Sequence, residues 1–296
     1  MKKNYTYAIL TVSIWATMAT VVKLILSDIP NLQALSVSSF FAAAFLLLLN
    51  LKNGAIKNMK QYAVKDYAIM AGLGFLGLFL YSALYYYGLA QLGAQDACIL
   101  NYLWPIMLVI CSCIVLKEKF TLTKGFAMVC SFVGIIILSL GGERVATGNA
   151  GLGMAACIIA AVCYGLFSVL NKKADYDQNI AMMVMWLVAA VCAAALGLVT
   201  EEWKPVVGVQ WLGMLWLGVI IDAVAYLLWA LSLKGVENTA KIANLAYLTP
   251  FLSLVVSAVV FKESIKPHKM VALILIVGGI LLQSFWDAML SRKTKR

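Results

Sequence analysis

Apolar residues fall along this chain in ten blocks of about twenty, the length a helix needs to cross a hydrocarbon core of about 30 Å. The blocks lie near residues 6–26, 32–51, 67–90, 94–116, 122–141, 150–171, 180–200, 209–233, 238–261 and 269–290. Links such as Ser27 to Asn31 and Gln91 to Gly93 are short, so neighbouring helices should form tight antiparallel hairpins. Almost nothing is left over for a soluble domain. The pattern predicts an all-α integral membrane protein of ten transmembrane helices. Lys2 and Lys3 ahead of the first block resemble the start of a secretory signal, but the block is long enough to span and a multispanning chain follows.

The pattern also repeats. A shift of 145 residues lays LNYLWP, Leu100 to Pro105, on LAYLTP, Leu245 to Pro250, with Lys117-Glu118 on Lys262-Glu263 and Gly134 on Gly279. A shift of 149 pairs Trp15 with Tyr164 and Lys23 with Lys172. Residues 1–144 and 145–296 therefore read as two five-helix repeats. Because five is odd, the second repeat must enter the membrane upside down, the arrangement in which carriers bind substrate near the midplane between their halves.

Composition agrees with the solvent this implies: 64% of residues are hydrophobic and 12% charged, and mean hydropathy is +0.93. The net charge of +10 does not point to nucleic acid, because the lysines are scattered between apolar blocks with no aromatic-interleaved basic face. It orients helices instead. With both termini cytoplasmic, the inner loops hold Lys2, Lys3, Lys52, Lys57, Lys60, Lys65, Lys117, Lys119, Lys124, Lys172, Lys173 and the basic tail. Lys262, Lys266 and Lys269 break the rule. The repeat explains them: Lys117-Glu118 and Lys262-Glu263 occupy equivalent places on opposite faces, which favours a shared structural task, a helix terminus or an ion pair, over a role in gating.

Soluble-enzyme chemistry has little material here. The single histidine, His268, lies in a loop, which leaves no His-based triad or zinc site, and neither a metal nor a cofactor is expected. The seven cysteines all fall inside apolar blocks without a CxxC pair and read as packing residues. Gly72, Gly74 and Gly77 spell GxGxxG, yet no strand precedes them, and in a membrane helix such glycines serve close packing. A membrane enzyme or sensor would need a catalytic constellation or an output domain, and neither is visible.

What remains are polar groups that lipid excludes unless they face a protected interior. Asp222 is a carboxylate in the middle of a block, where insertion costs about 2.5 to 3.5 kcal/mol. Tyr226 and Trp229 follow it at i+4 and i+7 on the same face. Asp222 could bond a neighbouring helix, meet a substrate ammonium or carry a proton. Lys23, late in the first block, can snorkel to the interface or pair with an acid. Tyr86 and Tyr87 read as an interfacial belt, whereas Tyr81 and Tyr85, one turn apart, suit a cavity wall. In the fourth block Asn101, Tyr102, Trp104 and Pro105 sit together, and the ninth carries Tyr247 and Pro250. Pro105 and Pro250 each remove a backbone hydrogen bond and act as hinges. The aromatics either pack with their polar tips satisfied or offer flat apolar walls with polar edges, and Asn101 can bond a carboxylate, an amine or a neighbouring helix.

The two halves, with their matching proline and Lys-Glu patterns, resemble the drug/metabolite transporter superfamily, EamA type, over nearly the whole chain. NYLWP followed by an apolar run and KEK, preceded by FLYSALYYYGL and mirrored by AYLTP after LLWALSLKG, resembles its aromatic amino-acid exporter branch. The resemblance implies a secondary transporter of the cytoplasmic membrane. It would export aromatic or other neutral amino acids, or related amphipathic metabolites, by alternating access, with protons as an optional co-substrate. It places Tyr81, Tyr85, Tyr102 and Trp104, with Trp15, Tyr164 and Trp229, in the cavity wall, and matches Asp96 to an acid at the start of the fourth helix. Asp222 has no counterpart in the branch pattern. An acid among aromatic walls also suits organic cations such as choline, through cation–π attraction.

Overall fold

The computed structural model describes residues 2–92, 94–139, 148–262, 267, 270–271 and 274–279. Eight helices among them are long and apolar enough to cross a membrane: α1 (Lys2–Leu24), α2 (Asn31–Lys52), α3 (Val64–Leu92), α4 (Asp96–Val115), α6 (Ala150–Lys173), α7 (Gln178–Thr200), α8 (Gln210–Leu233) and α9 (Thr239–Phe261). The shorter α5 spans Leu122–Ser139. Residues 274–279 are helical and belong to the predicted tenth block; the rest of that block lies mostly outside the described residues, as do Glu263, His268 and the boundary at residues 144 and 145. Large apolar side chains such as Leu48, Ile114, Leu198 and Val259 face outward. In lipid that is the low-energy arrangement, since each helix satisfies its own backbone and needs no polar coat.

The centre of the scaffold is the antiparallel pair α2 and α7, fastened at both ends. At one end the Glu201 carboxylate, just past α7, accepts from the first amides of α2, Leu32 N and Gln33 N, each at 3.0 Å. A carboxylate there meets both the free N–H groups and the positive end of the helix dipole. At the other end Asp177 caps α7 through Asn179 N at 2.8 Å, and the Asn50 side chain of α2 donates to Asn179 O at 3.2 Å. Between them the Ser36 hydroxyl donates to Ala190 O at 3.0 Å.

Close helix approach explains the glycines. A Cβ on Gly74 would lie 2.6 Å from the Met185 Cα of α7, and one on Gly165 would lie 2.7 Å from the Met107 and Leu108 backbone of α4. Gly77 meets the Phe167 ring and Gly72 meets nothing, so two members of GxGxxG serve packing in a helix. All seven cysteines are free.

Departures from a regular helix fall at matching places in the two halves. α4 breaks after Asn101 and resumes at Trp104. α9 passes through a tight 3₁₀ turn at Asn244–Tyr247 before continuing from Leu248. Each break lies within about one turn before its proline, where the carbonyl that would have bonded the missing N–H sits. Residues Phe75–Leu80 of α3 and Trp216–Ala225 of α8 are π-helical. Lys117 and Lys262 both adopt a left-handed backbone with φ of 56°. Lys262 ends α9 in this way, as expected of a helix terminus.

Candidate functional site

The helix irregularities surround one cluster of aromatic rings. Tyr81 and Tyr226 are the first residues after the two π-helical stretches. A π turn inserts an extra residue and so rotates the side chains that follow it. Trp104 opens the second part of α4 after its break, and Trp15 ends the first part of α1, which is interrupted at Ala16 and Thr17. Tyr164 projects from α6 and Trp229 from α8, one turn beyond Tyr226.

These rings touch mainly edge to face. Trp15 lies 5.3 Å from Tyr226, 5.4 Å from Trp229 and 6.2 Å from Trp104 between centroids. Trp104 lies 4.9 Å from Tyr164 and 5.4 Å from Trp229, at interplanar angles of 83° and 86°. Tyr81 leans on Tyr164 at 4.8 Å and stacks on Tyr85 at 6.4 Å. Such pairs contribute about 0.5–1.5 kcal/mol each beyond the area they bury. Both sequence halves supply them.

The polar edges are less well served. Trp15 Nε1, Trp229 Nε1, the Tyr164 hydroxyl, Asn101 Oδ1 and Asp222 Oδ2 are buried with no hydrogen-bond partner in the protein. Leaving such a group unpaired costs about 1–3 kcal/mol, so one region gathers several polar groups that a polar ligand would satisfy. Asn101 also lies against the Tyr81 hydroxyl.

Asp222 sits one turn before Tyr226 and is 8% exposed. Ser38 of α2 and the Tyr86 and Tyr226 hydroxyls lie near it. Gly218 makes this neighbourhood possible, because a Cβ there would lie 2.6 Å from the Phe41 Cβ and press on the Ser38 carbonyl. Tyr86 is thus a correction to the belt reading: it packs against the main core while its neighbour Tyr87 faces outward. Successive residues on a helix point about 100° apart, so two adjacent tyrosines rarely share one surface.

The remaining residues singled out by the sequence are distributed as follows. Tyr85 packs with Leu92 and Cys157 in a satellite cluster. Tyr102 and Tyr247 pack around Ile135 and Ile276 in another, outside the ring contacts just described. Pro105 and Pro250 mark the two breaks. Lys23 stands 4.2 Å from the Phe261 ring centroid.

Two residues of the site were not found from sequence. Trp186 of α7 lies edge-on to Tyr226 at 5.0 Å, is 2% exposed, and leaves its Nε1 without a partner. Its signal was a tryptophan mid-block, far from the interfaces where tryptophans usually anchor. Ser38 gave no signal, since serine is an ordinary small residue in helix contacts. A separate cavity of about 550 Å³ opens beside Phe40, Phe41, Leu187, Val191 and Trp211. It shares no lining residue with the ring cluster, and its apolar walls suit acyl chains.

A model of the EamA-like transporter family matches this chain twice, over residues 2–140 and 151–285. The chain belongs to the EamA-like transporter family. Relatives cover most of its length. An uncharacterized transporter, YyaM, of Bacillus subtilis is 24% identical over 82% of this chain and 80% of that protein. The aromatic amino acid exporter YddG of Ancylobacter novellus is 25% identical over 70% of this chain and 72% of its own. The S-adenosylmethionine/S-adenosylhomocysteine transporter of Chlamydia trachomatis is 31% identical, over 45% of this chain and 44% of its own. A solved crystal structure superposes with a TM-score of 0.86 over 100% of both chains at 20% identity, which establishes the fold alone. Family membership and the apolar helices together make this a multi-pass membrane transporter of a small molecule.

Proposed function

We propose that this family member exports neutral amino acids, aromatic ones foremost, or similar amphipathic metabolites across the cytoplasmic membrane by alternating access. Residues 1–144 and 145–296 act as inverted five-helix halves, with both termini cytoplasmic, and the substrate sits in the ring cluster between them. The observation that carries the reading is the ring cluster itself: aromatic residues from both halves enclose buried indole, hydroxyl and amide groups that no protein partner satisfies. Trp15, Tyr81, Trp104, Tyr164, Tyr226 and Trp229 form its wall, joined by Trp186. Tyr85, Tyr102 and Tyr247 extend it, and Asn101 orients a polar group. A flat apolar substrate body is matched by the ring faces, and its carboxylate by the indole N–H groups.

Asp222 favours a second reading. Its buried Oδ2 without a partner, with tyrosines nearby, would hold an organic cation such as choline. Counterflow in proteoliposomes decides between the two, using labelled phenylalanine, leucine and choline with and without a pH gradient. Saturable phenylalanine counterflow, reduced at least tenfold in Trp104→Ala, supports amino-acid transport. Choline counterflow alone, abolished in Asp222→Asn, replaces it with cation transport. Stimulation by a pH gradient that disappears in Asp222→Asn makes that carboxylate a proton carrier.

A further inference from the structure

Glu118 lies just past α4 and joins three segments. Its Oε1 accepts from Lys172 Nζ, in the last turn of α6, at 2.8 Å. Its Oε2 accepts from Thr239 N, at the start of α9, at 2.9 Å. The Thr239 hydroxyl also donates to Glu118, and Lys172 donates further to Val236 O at 2.6 Å and to Thr239 Oγ1 at 2.7 Å. Lys117, with φ of 56°, makes the turn that delivers Glu118 to this point. The two charged side chains are only 9% and 10% exposed. Glu118 comes from the first sequence half, and its partners come from the second.

The junction lies beyond one end of the ring cluster. Trp104 and Tyr164 are cluster members on α4 and α6, and those helices run on from the cluster to Glu118 and Lys172, about 12–20 Å away at the rise of an α-helix. Over this stretch they are in backbone contact at Gly165. A molecule leaving between these two helices towards Lys172 would part α4 from α6 and separate Glu118 from Lys172. The contact is also all-or-none. When the carboxylate moves away, the Thr239 amide loses its partner and the buried Lys172 ammonium is left with only the neutral acceptors Val236 O and Thr239 Oγ1, so intermediate positions are disfavoured. The fastenings at Glu201 and Asn50 differ, because they join α2 to α7 and touch neither α4 nor α6.

We propose that Glu118, Lys172 and Thr239 form a latch that closes the Lys172 end of the carrier and must open once in each transport cycle. Charge distribution assigns that end to the cytoplasm. The inference rests on the carrier reading above, but not on the identity of the substrate.

The test is the rate at which single cysteines react with a membrane-impermeant maleimide, in full-length protein whose seven natural cysteines are replaced by alanine. Ser112→Cys reports the Lys172 end, being fully buried in α4 beside the latch. Ser257→Cys in α9, whose native hydroxyl lies 3.1 Å from Thr20 Oγ1, reports the opposite end. A latch predicts that Glu118→Gln and Lys172→Gln each raise labelling of Ser112→Cys about tenfold, and that the double variant adds nothing further. Labelling of Ser257→Cys should fall in the same variants, because opening one end closes the other. Unchanged labelling of Ser112→Cys overturns the proposal. So does a rise at both ends, which is what general loosening produces, and so do additive effects. If Glu118→Gln does not fold, Lys172→Gln and Thr239→Ala carry the same test. No substrate is needed, so failed counterflow of amino acids and choline leaves this result decisive by itself.

Discussion

The second parts of α4 and α9 have related sequences and different surroundings. Trp104–Val115 buries Trp104, Pro105, Leu108, Val109 and Ser112. Leu248–Phe261, reached by the shift of 145 residues, buries only Thr249, and Phe251 to Ala258 are each partly exposed. One is pressed against Gly165 and followed by the Glu118 junction. The other touches α1 through the Thr20–Ser257 contact and the Lys23–Phe261 pair. Equivalent sequence therefore does not mean equivalent packing in one conformation. A carrier that alternates between two states needs such asymmetry, since a molecule with both ends packed alike would be closed on both sides or open on both.

The largest test of this contrast is cavity formation. Leu108→Ala, at a fully buried position, should lower stability by about 2–5 kcal/mol. Leu254→Ala in the looser copy should cost less than half as much, read as the shift in thermal unfolding of detergent-purified protein. Equal losses would remove the asymmetry. Next comes Gly165→Ala, whose new methyl would press on the Met107 and Leu108 backbone and should cost about 1–3 kcal/mol. Ser253→Leu, in the other copy, should stay within about 0.5 kcal/mol by the same measurement.

Prolines should affect rate more than stability. Pro105→Ala and Pro250→Ala each restore an amide near an existing break, so unfolding should shift by less than about 1 kcal/mol. Counterflow should slow severalfold in both, and a stability loss confined to Pro105→Ala would show that its role is packing. The smallest expected effect concerns the left-handed lysines. Lys117→Gly and Lys262→Gly should each stabilise by about 0.5–1 kcal/mol, because glycine accepts φ of 56° without Cβ strain. Their near-equality would confirm that this local geometry is shared even where packing is not.

Much of this arrangement could be read before the coordinates. Eight of the ten expected spans followed from apolar length and the breaks in α4 and α9 from Pro105 and Pro250, while the repeated Lys-Glu placement pointed to a helix terminus or an ion pair without naming Lys172 as the partner of Glu118. These features depend on local chemistry or on the internal repeat. What escaped depends on which faces meet. Trp186 and Ser38 become meaningful only once α7 and α2 are packed together and turned towards Tyr226 and Asp222. The interruption of α1 at Ala16 and Thr17 has no proline or glycine to announce it; Trp216 Nε1 donates to the Thr17 hydroxyl there at 3.0 Å. Likewise, no residue type marks the π-helical stretches that precede Tyr81 and Tyr226, and spacing alone did not separate Tyr247 from the rings around Trp104.

The fastening of α2 to α7 at both ends has a further implication for how the chain could be built. Glu201 reaches back to the start of α2, and Asn50 reaches forward to the start of α7, so the two halves hold each other through contacts that do not involve the segment joining residue 139 to residue 148. Such contacts should make that segment dispensable as a tether. Two fragments made separately and cut within it should assemble in the same membrane, as the subunits of a heterodimer would.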